Sequence, residues 1–187
     1  MKTLMYLFVV AILVIAGCAK DETLFENQDN LELKKAKVPI PFKADTYAVS
    51  DMNSDLILVE GLDPDDPASY FHSRLLCSGT GTHIGKINPE KSFYTNEKLV
   101  FFMENGQPFT LNKGTGIIVG ANGDGIEFTF ESKQSVIDGS FAGTITIIPG
   151  SGTGKFKGAT GTINNVGGWH EDGIGLWSKN EGYLVFE

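Results

Sequence analysis

The sequence predicts an all-β protein with a single antiparallel domain, and three observations support this fold class. Glycine is concentrated in one part of the chain, because 21 of the 23 glycines lie in residues 79–182. Helices tolerate that density poorly, since each interior glycine costs about 1 kcal/mol relative to alanine. Several short segments alternate apolar and polar residues as half-buried strands do, and no long segment has helical periodicity. Many short strands at near-regular spacing indicate a closed barrel or a sandwich.

The N-terminus has the pattern of an export signal. Lys2 precedes thirteen apolar residues, 4–16, a stretch too short to span a bilayer comfortably. Residues 15–18, Ile-Ala-Gly-Cys, resemble a bacterial lipobox, in which a signal peptidase cuts before the cysteine and acyl chains are attached to it. We therefore expect a lipoprotein signal peptide over residues 1–17. Several acyl chains on Cys18 would anchor the mature protein in a membrane; an ordinary secretory signal is the alternative.

The residues that follow predict a tether and a location. Residues 18–22, Cys-Ala-Lys-Asp-Glu, resemble the signal that sends lipoproteins of Bacteroidota-type bacteria to the outer face of the outer membrane, although a charged tether would have the same composition. Residues 18–36 are rich in charged and amide side chains, which predicts a disordered tether. The net charge of −8 would repel phosphate backbones, so we expect no nucleic-acid partner.

The β-domain is predicted over residues 37–187. Its clearest alternation is in residues 126–130, where Ile126, Phe128 and Phe130 share one face. The predicted strands are 37–47, 56–59, 70–77, 82–87, 98–103, 115–119, 126–130, 141–147, 158–166, 174–178 and 183–186. Residues 61–67 are predicted to form a loop, because two prolines in an acidic run do not fit a paired central strand. Cys77 is expected to be a buried apolar residue rather than a nucleophile.

A glycine-rich segment, residues 150–161 (GSGTGKFKGATG), invites comparison with phosphate-binding loops. A Walker loop needs a glycine where this chain has Pro149 and a hydroxyl where it has Phe156. The Rossmann pattern would need a glycine at Lys157 and a following αβ unit. We therefore interpret the segment as a tight turn between strands, with Phe156 as a core anchor, and predict no nucleotide, metal or other cofactor.

Three segments together resemble bacterial exported proteins related to the allene-oxide-cyclase and dirigent β-barrel group. They are residues 152–161 (GTGKFKGATG), residues 79–86 (GTGTHIGK) and residues 121–124 (ANGD). The resemblance implies an antiparallel barrel, eight-stranded in the plant relatives and calycin-like in shape, with Phe156 and Ala159 packed where the chain re-enters the sheet. It transfers no catalytic residue, and fold analogy alone is a weak basis for function.

The Asn122-Gly123-Asp124-Gly125 segment has two interpretations. It resembles the centre of an EF-hand calcium loop, with Glu131 at the last ligand position, but the first ligand position is Gly120. Asn-Gly and Asp-Gly are also strong hairpin-turn dipeptides. A hairpin that joins the strands 115–119 and 126–130 is the favoured prediction.

The candidate ligand-facing residues are His83, Trp169, His170, Glu171 and Asp172. The last four lie in one glycine-bounded loop, where they could stack on a sugar or bind a cation at a barrel mouth; a solvated loop with one packed tryptophan is the alternative. His83 could project into the barrel as a general base, or form a hydrogen bond that positions a turn. No Ser/His/Asp or Cys/His arrangement has a recognisable spacing, so no catalytic residue is assigned.

These observations predict a membrane-anchored envelope lipoprotein. Its barrel would bind a small molecule, a glycan or a protein partner. One alternative is a cyclase- or isomerase-type enzyme that acts inside the barrel, and another is a purely structural envelope protein. The interior distinguishes them, because an open cavity favours a ligand and an interior filled with Phe and Ile side chains excludes one.

Overall fold

The computed structural model describes residues 38–186, and these residues form an all-β structure as predicted. The strands are β1 (Ile40–Ser50), β2 (Leu56–Glu60), β3 (Tyr70–His72), β4 (Arg74–Gly81), β5 (Gly85–Ile87), β6 (Phe93–Glu104), β7 (Gln107–Val119), β8 (Gly125–Ser135), β9 (Phe141–Ile147), β10 (Ala159–Trp169) and β11 (Leu176–Phe186). Two single 3-10 turns are present, Pro67–Ser69 and Gly154–Phe156. The described residues contain no helix long and apolar enough to cross a membrane. The predicted signal peptide, the acylated Cys18 and the tether 18–36 lie outside them.

Eight of the strands pair into a closed ring. The order around the ring is β6-β7-β8-β9-β10-β11-β1-β4, and β4 pairs again with β6. Every pair in the ring is antiparallel, as expected for strands joined by short turns. The first and last ring strands of the chain, β1 and β11, are neighbours with nine residue pairs from Ile40↔Leu184 to Ala48↔Leu176.

Three short strands lie outside the ring. β5 extends the sheet beyond β4. The pairing of β4 with β6 covers only three residue pairs, Arg74↔Thr95 to Leu76↔Phe93. Beyond that point β6 pairs in parallel with β2 through Val59↔Leu99, and β3 pairs with β2. The β2–β3 hairpin therefore covers the place where β4 and β6 separate.

Several predicted boundaries are corrected. Residues 82–84 form a turn and only Gly85–Ile87 is a strand, so the predicted strand 82–87 is wrong in its first half. The segment 70–77 is interrupted at Ser73, whose backbone N–H donates to the carbonyl oxygen of Asp55 at 2.8 Å. The predicted strands 174–178 and 183–186 form one strand, β11. The loop 61–67 and the hairpin turn at Asn122-Gly123 are confirmed, and Gly123 has a positive φ of 91°.

One end of the ring, which we call the sealed end, is filled with apolar side chains. Its fully or almost fully buried residues are Phe42, Ile87, Ile118, Ile126, Phe128, Ile147, Phe156, Leu184 and Phe186. Phe156 is 0% exposed. It comes from the glycine-rich segment between β9 and β10, which turns back over the ring as predicted.

The three segments that carry the family resemblance meet at the sealed end. The backbone N–H of Ala121 donates to the carbonyl oxygen of Lys86 at 2.8 Å. The backbone N–H of Gly125 donates to Thr153 Oγ1 at 2.9 Å. A Cβ at Gly154, where φ is +54°, would overlap the Asp124 carboxylate. The glycines at this end thus allow three turns to pack together over the apolar core.

Candidate functional site

A cavity of about 260 Å³ lies inside the opposite end of the ring, which we call the open end. Leu75, Leu99, Phe130 and Ile145 contribute to its apolar wall. Its rim is formed by Phe71, Val136, Trp169 and Ile174, which are large apolar residues and each at least half exposed. Exposed apolar residues clustered around a concave opening are typical of a ligand-binding site.

The cavity exists because the inward side chains change character along the strands. On β10 the inward positions run from Ile163 to Asn165 and Gly167, and on β11 they run from Leu184 to Asn180 and Ser178. Small and polar residues therefore replace the Ile and Phe residues of the sealed end. These side chains cannot fill the ring, so a space remains above them.

A buried polar cluster, made of Thr46, Asn165, Ser178 and Asn180, forms part of the floor. Thr46 Oγ1 and Ser178 Oγ are 2.5 Å apart. Asn180 Nδ2 lies 3.3 Å from the carbonyl oxygen of Ala44, 3.2 Å from Thr46 Oγ1 and 3.3 Å from Ser178 Oγ. Asn165 Nδ2 donates to Asn180 Oδ1 at 2.6 Å. Of the four residues, Asn165 and Ser178 line the cavity.

Tyr94 is a second polar group at the floor. Its ring lies edge-on to Phe128 and Phe130, with ring centroids 5.4 and 5.8 Å away. Its hydroxyl is buried and has no hydrogen-bond partner among residues 38–186. Cys77 and Thr46 are close enough to affect its pKa, but neither meets the geometry of a hydrogen bond to it. Burial, followed by the neighbouring Cys77 thiol, raises the pKa of Tyr94 well above its usual value, so the group is a neutral phenol.

Cys77 is buried, as predicted. It is a free cysteine with 0% exposure. Burial raises the pKa of its thiol to about 12. Because the thiolate is the reactive form, this raised pKa disfavours reaction of the cysteine at neutral pH.

The candidate residues 169–172 lie in two different places, one at the cavity and the other on the outside of the ring. Trp169 is at the cavity rim, where it packs against the β8–β9 turn. A Cβ at Gly139 would overlap its indole ring, and φ there is +69°. His170 and Asp172 instead reach Tyr47, which is on the outer face of β1 because its neighbours Thr46 and Ala48 point inward.

His170, Asp172 and Tyr47 form a latch on the outside of the ring. The Tyr47 hydroxyl donates to Asp172 Oδ2 at 2.5 Å, and His170 Nδ1 is 3.0 Å from the same oxygen. The other carboxylate oxygen accepts from the backbone N–H groups of Ile174 and Gly175. The hydrogen bond from Tyr47, with those backbone donors, lowers the pKa of Asp172 to about 2. The latch thus fixes the loop that carries Trp169.

The other two candidate residues lie away from the cavity. Glu171 is exposed and makes no side-chain hydrogen bond or ion pair with the described residues. His83 is in the exposed turn between β4 and β5, with a positive φ of 65°. Its Nε2 is 3.2 Å from the carbonyl oxygen of Pro41. The expectation that His83 projects into the ring is wrong, because the residue lies in an exposed turn with its imidazole beside the backbone of β1.

Within residues 38–186, no three His, Cys, Asp or Glu side chains are grouped so that they could hold a metal ion. The residues that line the floor, Asn165, Ser178 and Tyr94, were missed by the sequence reasoning. The available signal was the alternation on β10, where Asn165 falls on the same face as the buried Ile163.

No family model, curated protein or solved structure matches this chain.

Proposed function

We propose that this chain is a lipid-anchored protein of the bacterial cell envelope that binds a small apolar molecule inside its ring of strands. The observation that carries the proposal is the cavity of about 260 Å³ at the open end. Binding sites for drug-sized ligands have volumes of about 300–1,000 Å³ and mostly apolar walls with a few polar groups. A cavity just below that range, with an apolar wall and a polar floor, suits a compact ligand.

The proposal includes the predicted barrel class and the predicted anchor. The eight-stranded antiparallel ring is consistent with a barrel like that of the allene-oxide-cyclase and dirigent group, and the three resembling segments meet at one end of it. The lipobox at Ile15–Cys18 carries the anchor, and the Lys-Asp-Glu residues after Ala19 favour the outer face of the outer membrane. Protection of the domain from protease added to intact cells would contradict that location.

The cavity bears on both alternatives to a binding protein. An interior open over this volume argues against a purely structural protein with a filled barrel. The general base suggested for an enzyme was His83, and that residue is in an exposed turn. Because the Cys77 thiol is buried with a raised pKa and the floor cluster consists of neutral amides and hydroxyls, binding is the better supported activity.

The test is a thermal-melting experiment on the full chain in phospholipid nanodiscs. The probes are two neutral molecules of equal heavy-atom number, 1-octanol and heptyl methyl ether. A ligand that binds only the folded state stabilises it by about 2.7 kcal/mol at a free concentration one hundred times Kd. We expect at least one probe to raise the melting temperature of the wild type.

Matched variants separate cavity binding from an effect of the probes on lipid. Ala48→Leu places three extra carbons in the cavity, whereas Ala142→Leu makes the same change on the exposed face of β9. The rise in melting temperature should persist in Ala142→Leu and shrink in Ala48→Leu. If neither probe raises the wild-type melting temperature, or if both variants respond alike, the cavity does not bind such ligands.

A further inference from the structure

The hydrogen bonds of the floor cluster determine which atoms face the cavity. A backbone carbonyl oxygen can only accept, so the Asn180 atom 3.3 Å from the carbonyl oxygen of Ala44 must be the amide nitrogen. The opposite side-chain atom of Asn180 is then its oxygen. The Asn165 atom 2.6 Å from that oxygen must in turn be a nitrogen. The orientation of both amides follows from one carbonyl group.

This orientation leaves a free acceptor at the floor. Asn165 Oδ1 accepts no hydrogen bond from residues 38–186, and Asn165 is a cavity-lining residue only 8% exposed. An amide oxygen that a ligand covers without donating to it loses its water and gains no partner. Asn165 therefore has a nearly buried side chain that borders the cavity, and its amide oxygen has no donor among the described residues.

The same cluster also leaves a free donor. Asn180 has two amide hydrogens, one for the carbonyl oxygen of Ala44 and one shared between Thr46 Oγ1 and Ser178 Oγ. One of these two hydroxyls donates its hydrogen to the other. When Thr46 is the donor, the hydrogen of Ser178 is unused, and of these two residues only Ser178 lines the cavity.

The groups around the cavity disfavour an anionic head group. The floor residues are neutral, and no Lys or Arg borders the cavity among the described residues. The other titratable residues that line it are His72, whose Nδ1 is 3.2 Å from the carbonyl oxygen of Ser54, and Glu131, whose carboxylate is 2.7 Å from Lys113 Nζ. A carboxylate or phosphate would lose its hydration without gaining a Lys or Arg, and the free oxygen of Asn165 would repel it.

We propose that the cavity selects a neutral apolar molecule with a hydroxyl group, which donates to Asn165 Oδ1 and accepts from Ser178 Oγ. The inference rests on the proposed ligand-binding function and specifies its ligand class. An alcohol satisfies both free groups at once, whereas an ether can only accept and a hydrocarbon can do neither. Sites that hydrogen-bond a ligand hydroxyl discriminate against analogues without it, because their own polar groups are then left unpaired.

The experiment compares three probes of similar length on the full chain in nanodiscs, with empty nanodiscs as the blank. The probes are 1-octanol, heptyl methyl ether and octanoate at pH 8, and the dependence of the melting temperature on probe concentration gives each Kd. One additional hydrogen bond predicts that 1-octanol binds about fivefold to tenfold more tightly than the ether. Octanoate should bind more weakly than either.

Variants at adjacent positions of β10 test the assignment to Asn165. Asn165→Leu should bring the affinities of the alcohol and the ether to within about twofold, because the acceptor is gone. Asn164→Leu makes the same change on the exposed outer face and should keep the wild-type preference. Ser178→Ala is the smaller second variant, and should also reduce the preference if Asn165→Leu does not fold.

The outcomes separate this inference from the proposed function. Equal binding of alcohol and ether to the wild type would overturn the hydroxyl preference but leave the binding function intact. Tighter binding of octanoate would overturn the argument from charge. Preference for the alcohol that survives both Asn165→Leu and Ser178→Ala would remove the floor cluster as its cause. If no probe binds, the proposed function itself fails.

Discussion

The two ends of the ring are built from the same strands but have different inward-facing residues: one end is a packed apolar core and the other contains a cavity. At the sealed end the inward positions are Ile and Phe, and the glycine-rich segment adds Phe156 to complete the core. At the open end the inward positions include Asn165 and Ser178, and no loop within residues 38–186 closes over them to fill the space. Backbone pairing continues through both ends except between β4 and β6, which separate beyond Arg74↔Thr95. The sealed end therefore provides the hydrophobic stabilisation, and the open end is free to carry a binding site.

The largest test of this contrast is a pair of matched truncations. Phe156→Ala should destabilise the protein by about 3–5 kcal/mol, because it removes a fully buried ring and leaves a cavity. Phe71→Ala, at the rim of the open end, should cost under about 1 kcal/mol, since that side chain is 53% exposed. Urea unfolding followed by tryptophan fluorescence measures both. Similar costs for the two variants would show that the ends do not divide stability in this way.

At the floor of the cavity we expect a smaller change in stability, and of opposite sign. Tyr94→Phe removes a buried hydroxyl that has no partner in the described structure, so it should stabilise the ligand-free protein by about 1 kcal/mol. Tyr183→Phe, on an exposed position of β11, is the matched control and should change stability by less than about 0.5 kcal/mol. A lower melting temperature for Tyr94→Phe would mean that the hydroxyl is bonded in the native protein.

The smallest effect concerns the latch at the open end. The pKa of Asp172 is about 2 in the folded protein against an ordinary value of 3.8, so its contribution to stability is present above pH 4. That contribution should be lost as the pH falls from about 4 to about 2, when the carboxylate is protonated. Asp172→Asn should therefore flatten the fall in melting temperature over this interval, and its neighbour Glu171→Gln should not. Identical acid profiles for the wild type and Asp172→Asn would exclude this role of the latch.

The fold was largely predictable because its signals are local. The alternation in residues 126–130 and 141–147 identified β8 and β9 directly, and the dipeptide Asn122-Gly123 identified the turn before β8. The same logic would have found the turn at Asn105-Gly106, where both residues have positive φ and join β6 to β7. His83 was misplaced because the predicted strand 82–87 was extended through residues 82–84, which form a turn in which His83 has a positive φ and lies beside the carbonyl oxygen of Pro41.

The site was much less predictable because its contacts are distant in sequence. Trp169 was identified from its glycine-bounded loop, but its companions His170 and Asp172 form a latch with Tyr47, 125 residues before Asp172. Thr46 and Ser178 meet across 132 residues. An asparagine in a strand does not by itself indicate a free acceptor, since only the orientation of Asn180 leaves Asn165 Oδ1 unbonded. These hydrogen-bond partners come together only when the ring closes, so no single segment of the sequence reveals them.

The pairing of β1 with β11 has a consequence for when the site can form. The floor cluster joins Thr46 on the first ring strand to residues on the last two, so it cannot assemble before the C-terminal strand is available. Closing contacts of this separation is slow, because the entropy of a long loop is lost before any of its contacts form. A chain emerging from a ribosome would hold β1 with one edge unpaired until β11 was released. A domain of this topology thus cannot close its ring during synthesis, and the floor cluster forms only when β11 pairs with β1.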